Sequence, residues 1–273
     1  MSVLRFDPLQ LFRSSVTPVG LYARQKWLGE ANTDSWRRDY NHKVESLLKD
    51  QSHNGSWGNS EINTVHRLFD LHLTVREAND AINSALDWLL GKIPPSLNPL
   101  KAGHKERITA KSLMGLPFSA TYHKVLLITS TLFLCTVFGR GKDDRVLNGY
   151  QQLEKAIKDG VGQLRGWHPV SNILRALVVH ESFSNSDSTK IIVTKMGKAQ
   201  TDKGNWGKSV PFYRTLNALA HLDLPEADSQ FKNALKRLYK TQSKDGSWGK
   251  TEPEFTTFLV VHALKRKGIL FPG

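Results

Sequence analysis

The sequence predicts an all-α fold built as a two-layered repeat, and three observations carry that prediction. The pattern Gln-x-x-x-Gly-x-Trp-Gly occurs at residues 51–58, 200–207 and 242–249. Apolar residues recur with helical periodicity through most segments between these copies. An amphipathic helix precedes each copy and a more apolar helix follows it, which assigns the first to an outer layer and the second to an inner one.

Taken in order, Ser15-Val-Thr-Pro18 opens a helix that runs to Trp27 and is closed by Gly29. Pro18 sits in the first turn, where its missing N–H costs nothing. Thr33 is a plausible cap for a second helix that places Tyr40, Val44, Leu47 and Leu48 on one face. After the first pattern, Ile62, Val65, Leu68, Phe69 and Leu73 define an inner helix. Residues 77–93 form an outer one, with Ala81, Ala85, Trp88 and Leu89 in a stripe, stopped by Ile93-Pro-Pro. Residues 94–117 form an irregular, partly basic connection, readable as a lid, a channel edge or an insertion without a role.

Residues 122–138 form the most buried helix, and residues 145–158 an amphipathic one through Leu147, Tyr150, Leu153 and Ile157. Gln163-Leu-Arg-Gly166-Trp167 resembles a shortened copy of the pattern, leading into an apolar helix over residues 170–180. A polar loop over residues 182–189 and a weakly periodic stretch over 190–198, without an assigned type, come before the second full copy. Helices over residues 210–222, 227–241 and 254–265 complete the chain.

The spacing agrees with a repeat. Trp167 and Trp206 are 39 residues apart, and Trp206 and Trp248 are 42 apart, each enough for two helices and two turns. Thr64, Thr215 and Thr257 occupy equivalent places after the three full copies. The expected organisation is one domain over residues 1–273, with repeats near 43–73, 200–222 and 242–265 and a degenerate one near 163–180.

Composition narrows the partners. The chain has 273 residues, 39% hydrophobic and 23% charged, as expected of a folded soluble protein. A formal charge of +13 suits an anionic partner, either a protein or a polyanion, or an ordinary solvated basic surface. The basic residues are spread along the chain with acids between them, so nucleic acid is not favoured. The single cysteine excludes an internal disulfide framework and any multi-cysteine zinc site, and its apolar surroundings make Cys135 a buried structural thiol. The N-terminal residues show no secretory h-region, and residues 125–138 are too few to span a bilayer. A cytoplasmic location without a transmembrane segment is expected.

The Gln-x-x-x-Gly-x-Trp pattern at the end of an outer helix, followed by a threonine and an apolar inner helix, resembles the QW motif of squalene–hopene and oxidosqualene cyclases. The resemblance extends over residues 43–268 and implies the α/α toroid that terpenoid cyclases share with protein prenyltransferases, with six inner and six outer helices. In that superfamily the motif is structural, which implies bracing roles for Gln51, Trp57, Gln200, Trp206, Gln242 and Trp248. An amide can pair with free N–H groups at a neighbouring helix start while an indole stacks over it.

The superfamily's chemical signatures are missing. No Asp-x-Asp-Asp acid motif occurs; Asp143-Asp144 lies beside Arg140, Lys142 and Arg145 and reads as a helix cap. Phe133 stands two residues before Cys135, where the prenyltransferase zinc site would need an aspartate, so no metal and no cofactor is expected. The thioester-domain sequence Gly-Cys-Gly-Glu-Gln is absent too. The remaining candidate acids are Glu61, Glu252 and Glu254, which follow full copies of the pattern; burial near an apolar cavity would raise such a carboxyl enough to donate a proton.

Candidate cavity residues are His66, Tyr122, Phe212, Tyr213, Phe255 and Phe258, on inner helices that also carry His123, His180, His221 and His262. The expected function is binding or conversion of an isoprenoid-like ligand in an apolar central cavity. The alternative is a non-catalytic helical scaffold. An open aromatic cavity favours the first, and a filled centre the second.

Overall fold

The computed structural model describes residues 4–93, 107–160 and 166–270. Among them eleven α-helices and two short 3-10 helices account for the regular structure, and only isolated bridges resemble strand pairing. Residues 94–106 of the irregular connection and residues 163–165 of the degenerate repeat lie outside the described residues.

Local sequence starts the helices where side chains can satisfy free N–H groups. Thr17 caps α1 (Pro18–Lys26) by accepting from Gly20 N–H, and Thr33 caps α2 (Asp34–Leu48) by accepting from Trp36 N–H. Ser60 and Asn79 do the same for α3 (Glu61–Thr74) and α4 (Asp80–Leu90). In α5 (His123–Val137), Thr129 and Ser130 donate to the Val125 and Leu126 carbonyls, so these hydroxyls are satisfied inside an otherwise apolar helix. Cys135 is buried there, and burial pushes its thiol up to about 12, well away from thiolate chemistry.

Asp143 precedes α6 (Asp144–Gly160), accepts the Arg145 N–H and pairs with Arg140 and Arg145. Those hydrogen bonds hold its carboxyl below the usual carboxylate range, consistent with a cap and not with an acid catalyst. The remaining helices are α7 (Trp167–Leu177), α8 (Asp187–Lys198), α9 (Phe212–Leu219), α10 (Pro225–Lys240) and α11 (Pro253–Arg266).

Several helices differ from their expected bounds: α4 is Asp80–Leu90 against 77–93, α7 is Trp167–Leu177 against 170–180, and two further stretches differ with a local cause. The weakly periodic residues 190–198 belong to α8, which begins at Asp187 under a Ser186 cap, inside what reads as a polar loop. Its buried stripe, Ile192, Val193 and Met196, is short, and that is why the periodicity is faint. The helix expected over residues 210–222 is only Phe212–Leu219, and Pro211 at its N-cap sets where it starts.

The odd-numbered helices form a closed inner ring. α1 packs on α3, α3 on α5, α5 on α7, α7 on α9, α9 on α11, and α11 returns to α1. The even-numbered helices lie outside the ring. α2 and α4 each bridge two inner neighbours, while α6, α8 and α10 follow one another around α5, α7 and α9. The sixth outer position is filled by the 3-10 helix Pro8–Phe12, which packs on α1 and α11. The architecture is all-α, a single α/α toroid.

The repeated pattern stitches the outer layer. Gln51, after α2, donates through Nε2 to the Ala81 carbonyl of α4 at 2.8 Å. Gln200, after α8, donates to the Gln230 carbonyl of α10 at 2.8 Å, and Trp206 Nε1 donates to the Gln230 side chain. Gln242, after α10, accepts from the Arg5 and Phe6 N–H groups and donates to the Phe6 carbonyl, tying the last outer helix to the start of the chain. The N–H groups that Gln242 accepts lie in the bend ahead of the Asp7 cap, and Gln51 and Gln200 grip carbonyls, so none of the three glutamines pairs with a first-turn N–H of a helix in the way expected.

The inner layer is keyed to the same loops. Thr64 and Thr257 accept the Trp57 and Trp248 N–H groups at 3.1 and 3.0 Å. Gly246, with φ of +84°, passes so close to the Asp7 carbonyl that a side chain would collide with it.

Candidate central cavity

The ring does not close on a filled centre. A cavity of about 430 Å³ lies inside it, with walls from every inner helix. α3 contributes Phe69 and His72, α7 contributes Arg175, α9 contributes Asn217, and α11 contributes Phe258 and His262. Tyr22 of α1 and Phe133 of α5 complete the circuit.

Apart from Tyr22 of α1 and Phe258 of α11, these residues come from the C-terminal half of each helix, and Arg76, Val178, His221 and Arg266 extend the wall to or past the helix ends. Five helices contribute their C-terminal halves to one cavity, so those ends gather on one side of the ring. The opposite side is occupied by the described part of the irregular connection, residues 107–117, together with residues 118–121 that lead into α5. There Leu113, Leu116 and Phe118 are fully buried. Arg214, at the start of α9, donates to the Leu116 carbonyl, and His66 meets the Ser112 carbonyl at 2.9 Å. Asn172 and Ser119 exchange two hydrogen bonds. Pro117 reaches through to the cavity as part of its floor.

The candidate acids lie on that side. Glu61 is the first residue of α3, about two turns before Phe69. Glu252 accepts the Gly115 N–H and lies 3.5 Å from Arg214. Glu254 accepts hydrogen bonds from the Ser15 and Thr17 hydroxyls, beside the start of α1. None of the three lines the cavity among the described residues, and its lining there contains no Asp or Glu.

The six candidate cavity residues separate. Phe258 is on the wall, stacked on Trp27 at 5.4 Å and edge-on to Tyr22 at 5.3 Å. Phe255 packs behind it, against Phe69. Phe212 lies against Trp206, with Tyr213 against Phe212. Tyr122 sits under the Arg107 guanidinium, and His66 borders a surface groove with Trp57 and Arg67. Of the other inner-helix histidines, His221 and His262 line the cavity, whereas His180 is packed against Tyr150 and Phe183 near the outer layer.

The wall also holds groups that the sequence pattern did not single out: His72, Arg76, Arg175, Asn217 and Arg266. Their signal was available only as polar residues on otherwise apolar inner helices. Burial, with Arg76 nearby, depresses His72 to about 4. Burial, with Arg175 and Arg266 nearby, does the same to His262. Burial also lowers His221, helped by His262 and by Arg175. The three imidazoles are therefore neutral near pH 7 and can both donate and accept. Burial and the neighbouring Arg214 bring Arg175 down to about 9, still cationic at pH 7. Among the described residues no cluster of His, Cys, Asp and Glu could hold a metal ion.

No family model and no curated protein sequence matches the chain. Solved structures match by shape. A protein from Actinoplanes aligns with a TM-score of 0.56 at 14% identity, over 94% of this chain and 89% of that one. The type II terpene cyclase MstE from Scytonema, as an apo variant, aligns with a TM-score of 0.57 at 13% identity, over 94% and 87% of the two chains. A variant of the same cyclase, in complex with geranylgeranyl dihydroxybenzoate as substrate, aligns with a TM-score of 0.57 at 12% identity, over 92% and 86%. At these identities the likeness establishes the fold. Among the described residues no helix is long and apolar enough to cross a membrane.

Proposed function

We propose that the protein binds an isoprenoid-like small molecule in the central cavity of the toroid. The observation that carries this reading is the cavity's aromatic wall, where Phe69, Phe133, Phe258 and Tyr22 face a space of about 430 Å³ inside a closed ring of helices. That volume falls in the range of small-molecule sites, and aromatic walls suit branched, unsaturated chains. The shared fold with a terpene cyclase solved with a geranylgeranyl substrate supports the same ligand class.

Binding is the part of the activity that the geometry supports best. Proton donation from Glu61, Glu252 or Glu254 would have to act on a ligand reaching past Pro117, because these carboxylates sit beyond the floor, in hydrogen bonds or at a helix start. In this reading they brace the ring's other end.

The test is to extract and identify lipid copurifying with the protein, then to titrate the stripped protein with squalene, farnesol and linear prenyl diphosphates. The expected result is saturable binding of at least one isoprenoid, weakened by Phe258→Trp, which fills the cavity. If no isoprenoid copurifies and none binds, the reading is wrong and the scaffold alternative takes its place.

A further inference from the structure

Arg175 is a buried cation with no carboxylate partner among the described residues. It is 4% exposed, its Nη2 donates to the Arg214 carbonyl at 3.0 Å, and its Nε has no hydrogen-bond partner among the described residues. The charge nearest to it in effect is Arg214, which is also positive and whose own acid partner is Glu252. A guanidinium taken out of water is costly unless an anion and hydrogen bonds compensate it.

The rest of the polar wall has the same character. Arg76 lies over the Tyr22 ring at 4.8 Å and donates from Nη2 to Gln25, while its Nε is buried without a partner. His72 Nδ1 is buried and unpartnered as well. Arg266 is exposed at the cavity's edge. None of the three arginines pairs with a carboxylate among the described residues. The cavity therefore combines an aromatic wall with three arginine charges and with buried nitrogen atoms that have no hydrogen-bond partner among the described residues.

We infer that the cavity's ligand is an amphiphilic anion, an isoprenoid-like chain ending in a carboxylate or phosphate that Arg175 receives, with Arg76 and Arg266 around the head group. The inference rests on the proposed isoprenoid-binding reading and narrows it. A neutral hydrocarbon or alcohol would leave Arg175 uncompensated, whereas an oxyanion accepts from a guanidinium fork through two parallel hydrogen bonds. The apolar tail then occupies the space between Phe69, Phe133 and Phe258. The three neutral imidazoles contribute donors without adding charge, so the site's charge at neutral pH is that of the arginines alone.

The experiment is calorimetric titration of the full chain, stripped of lipid, with farnesoic acid, farnesyl monophosphate, farnesol and inorganic phosphate as probes. The expected result is that one or both anionic amphiphiles bind roughly tenfold to a hundredfold tighter than farnesol. The stronger of the two identifies the head group, and inorganic phosphate alone binds weakly, for lack of a tail. Arg175→Gln should erase the preference while farnesol binding persists, and Arg266→Gln, at the exposed edge, should reduce it without burdening the fold.

If farnesol binds as tightly as both anions, or if both substitutions leave the preference intact, the inference is overturned and the isoprenoid-binding reading survives. If phosphate alone binds as well as the amphiphiles, the tail plays no part and both fall. If no probe binds, both fall as well.

Discussion

His221 and His262 stack on the cavity wall with ring centroids 5.2 Å apart and planes 20° apart. His221 follows the end of α9 and His262 lies in α11, and Asn217 of α9 joins these two helices by donating to the Leu259 carbonyl at 2.8 Å. Two imidazolium rings could not share this contact beside Arg175 and Arg266, so the stacking depends on both rings being neutral.

Stability is therefore linked to pH through the cavity. The folded values of His72 and His262 are depressed, to about 4 from about 6.5, so their contribution is present above 6.5 and is lost as pH falls towards 4. Each is linked to roughly 3 kcal/mol. His221 acts in the same direction, and Arg76, Arg175, Arg266 and Lys267 are the surrounding charges that oppose protonation. Urea midpoints measured between pH 7 and pH 4 should fall steeply, and His262→Gln should flatten the slope. An unchanged slope would mean that the rings are already solvated.

Asp70 of α3 acts in the opposite direction. Burial raises its carboxyl to about 7, only partly offset by Lys43 and Arg67. A raised folded value contributes stability at low pH that is lost as pH rises through 7. Asp70→Asn is therefore expected to raise the melting temperature at pH 8 by a few degrees and to change it little at pH 5. Equal shifts at both values would assign the effect to packing.

Gln242 should matter out of proportion to its exposure. It holds Arg5 and Phe6 against the last outer helix through three hydrogen bonds. Gln242→Ala should cost about 1–3 kcal/mol and speed proteolytic cleavage ahead of Pro8. Trp248→Ala, which empties a fully buried site, should cost about 3–5 kcal/mol. Comparable, small losses in both variants would argue against the seam.

Glu254→Gln separates bracing from chemistry. It weakens the hydrogen bonds from Ser15 and Thr17 and should lower stability by about 1 kcal/mol while leaving isoprenoid affinity unchanged. Loss of binding in a folded variant would return Glu254 to the site.

Much of the architecture was legible because its determinants are local and repeated. Each copy of the Gln/Trp pattern sits between helices whose periodicity shows which face is apolar, and capping residues such as Thr17, Thr33 and Ser60 mark where helices start. Phe258 could be nominated because an aromatic on an apolar inner helix is visible in one dimension. Arg175 could not, since an arginine on a helix reads as a surface residue until its neighbours are known. The 3-10 helix that completes the outer layer was also hidden, being too short to show periodicity.

The sequence by itself determined an all-α, two-layered repeat with Gln51, Gln200 and Gln242 at its joints. Only the tertiary structure decided which end of the ring is closed by residues 107–121 and which holds the cavity. It also decided that the cavity wall is cationic and free of carboxylates among the described residues. The physical reason is that His72, Arg175 and His262 lie on three different helices and His221 just past a fourth, separated by about 40 to 100 residues of chain, and they become neighbours only when the ring closes α11 onto α1.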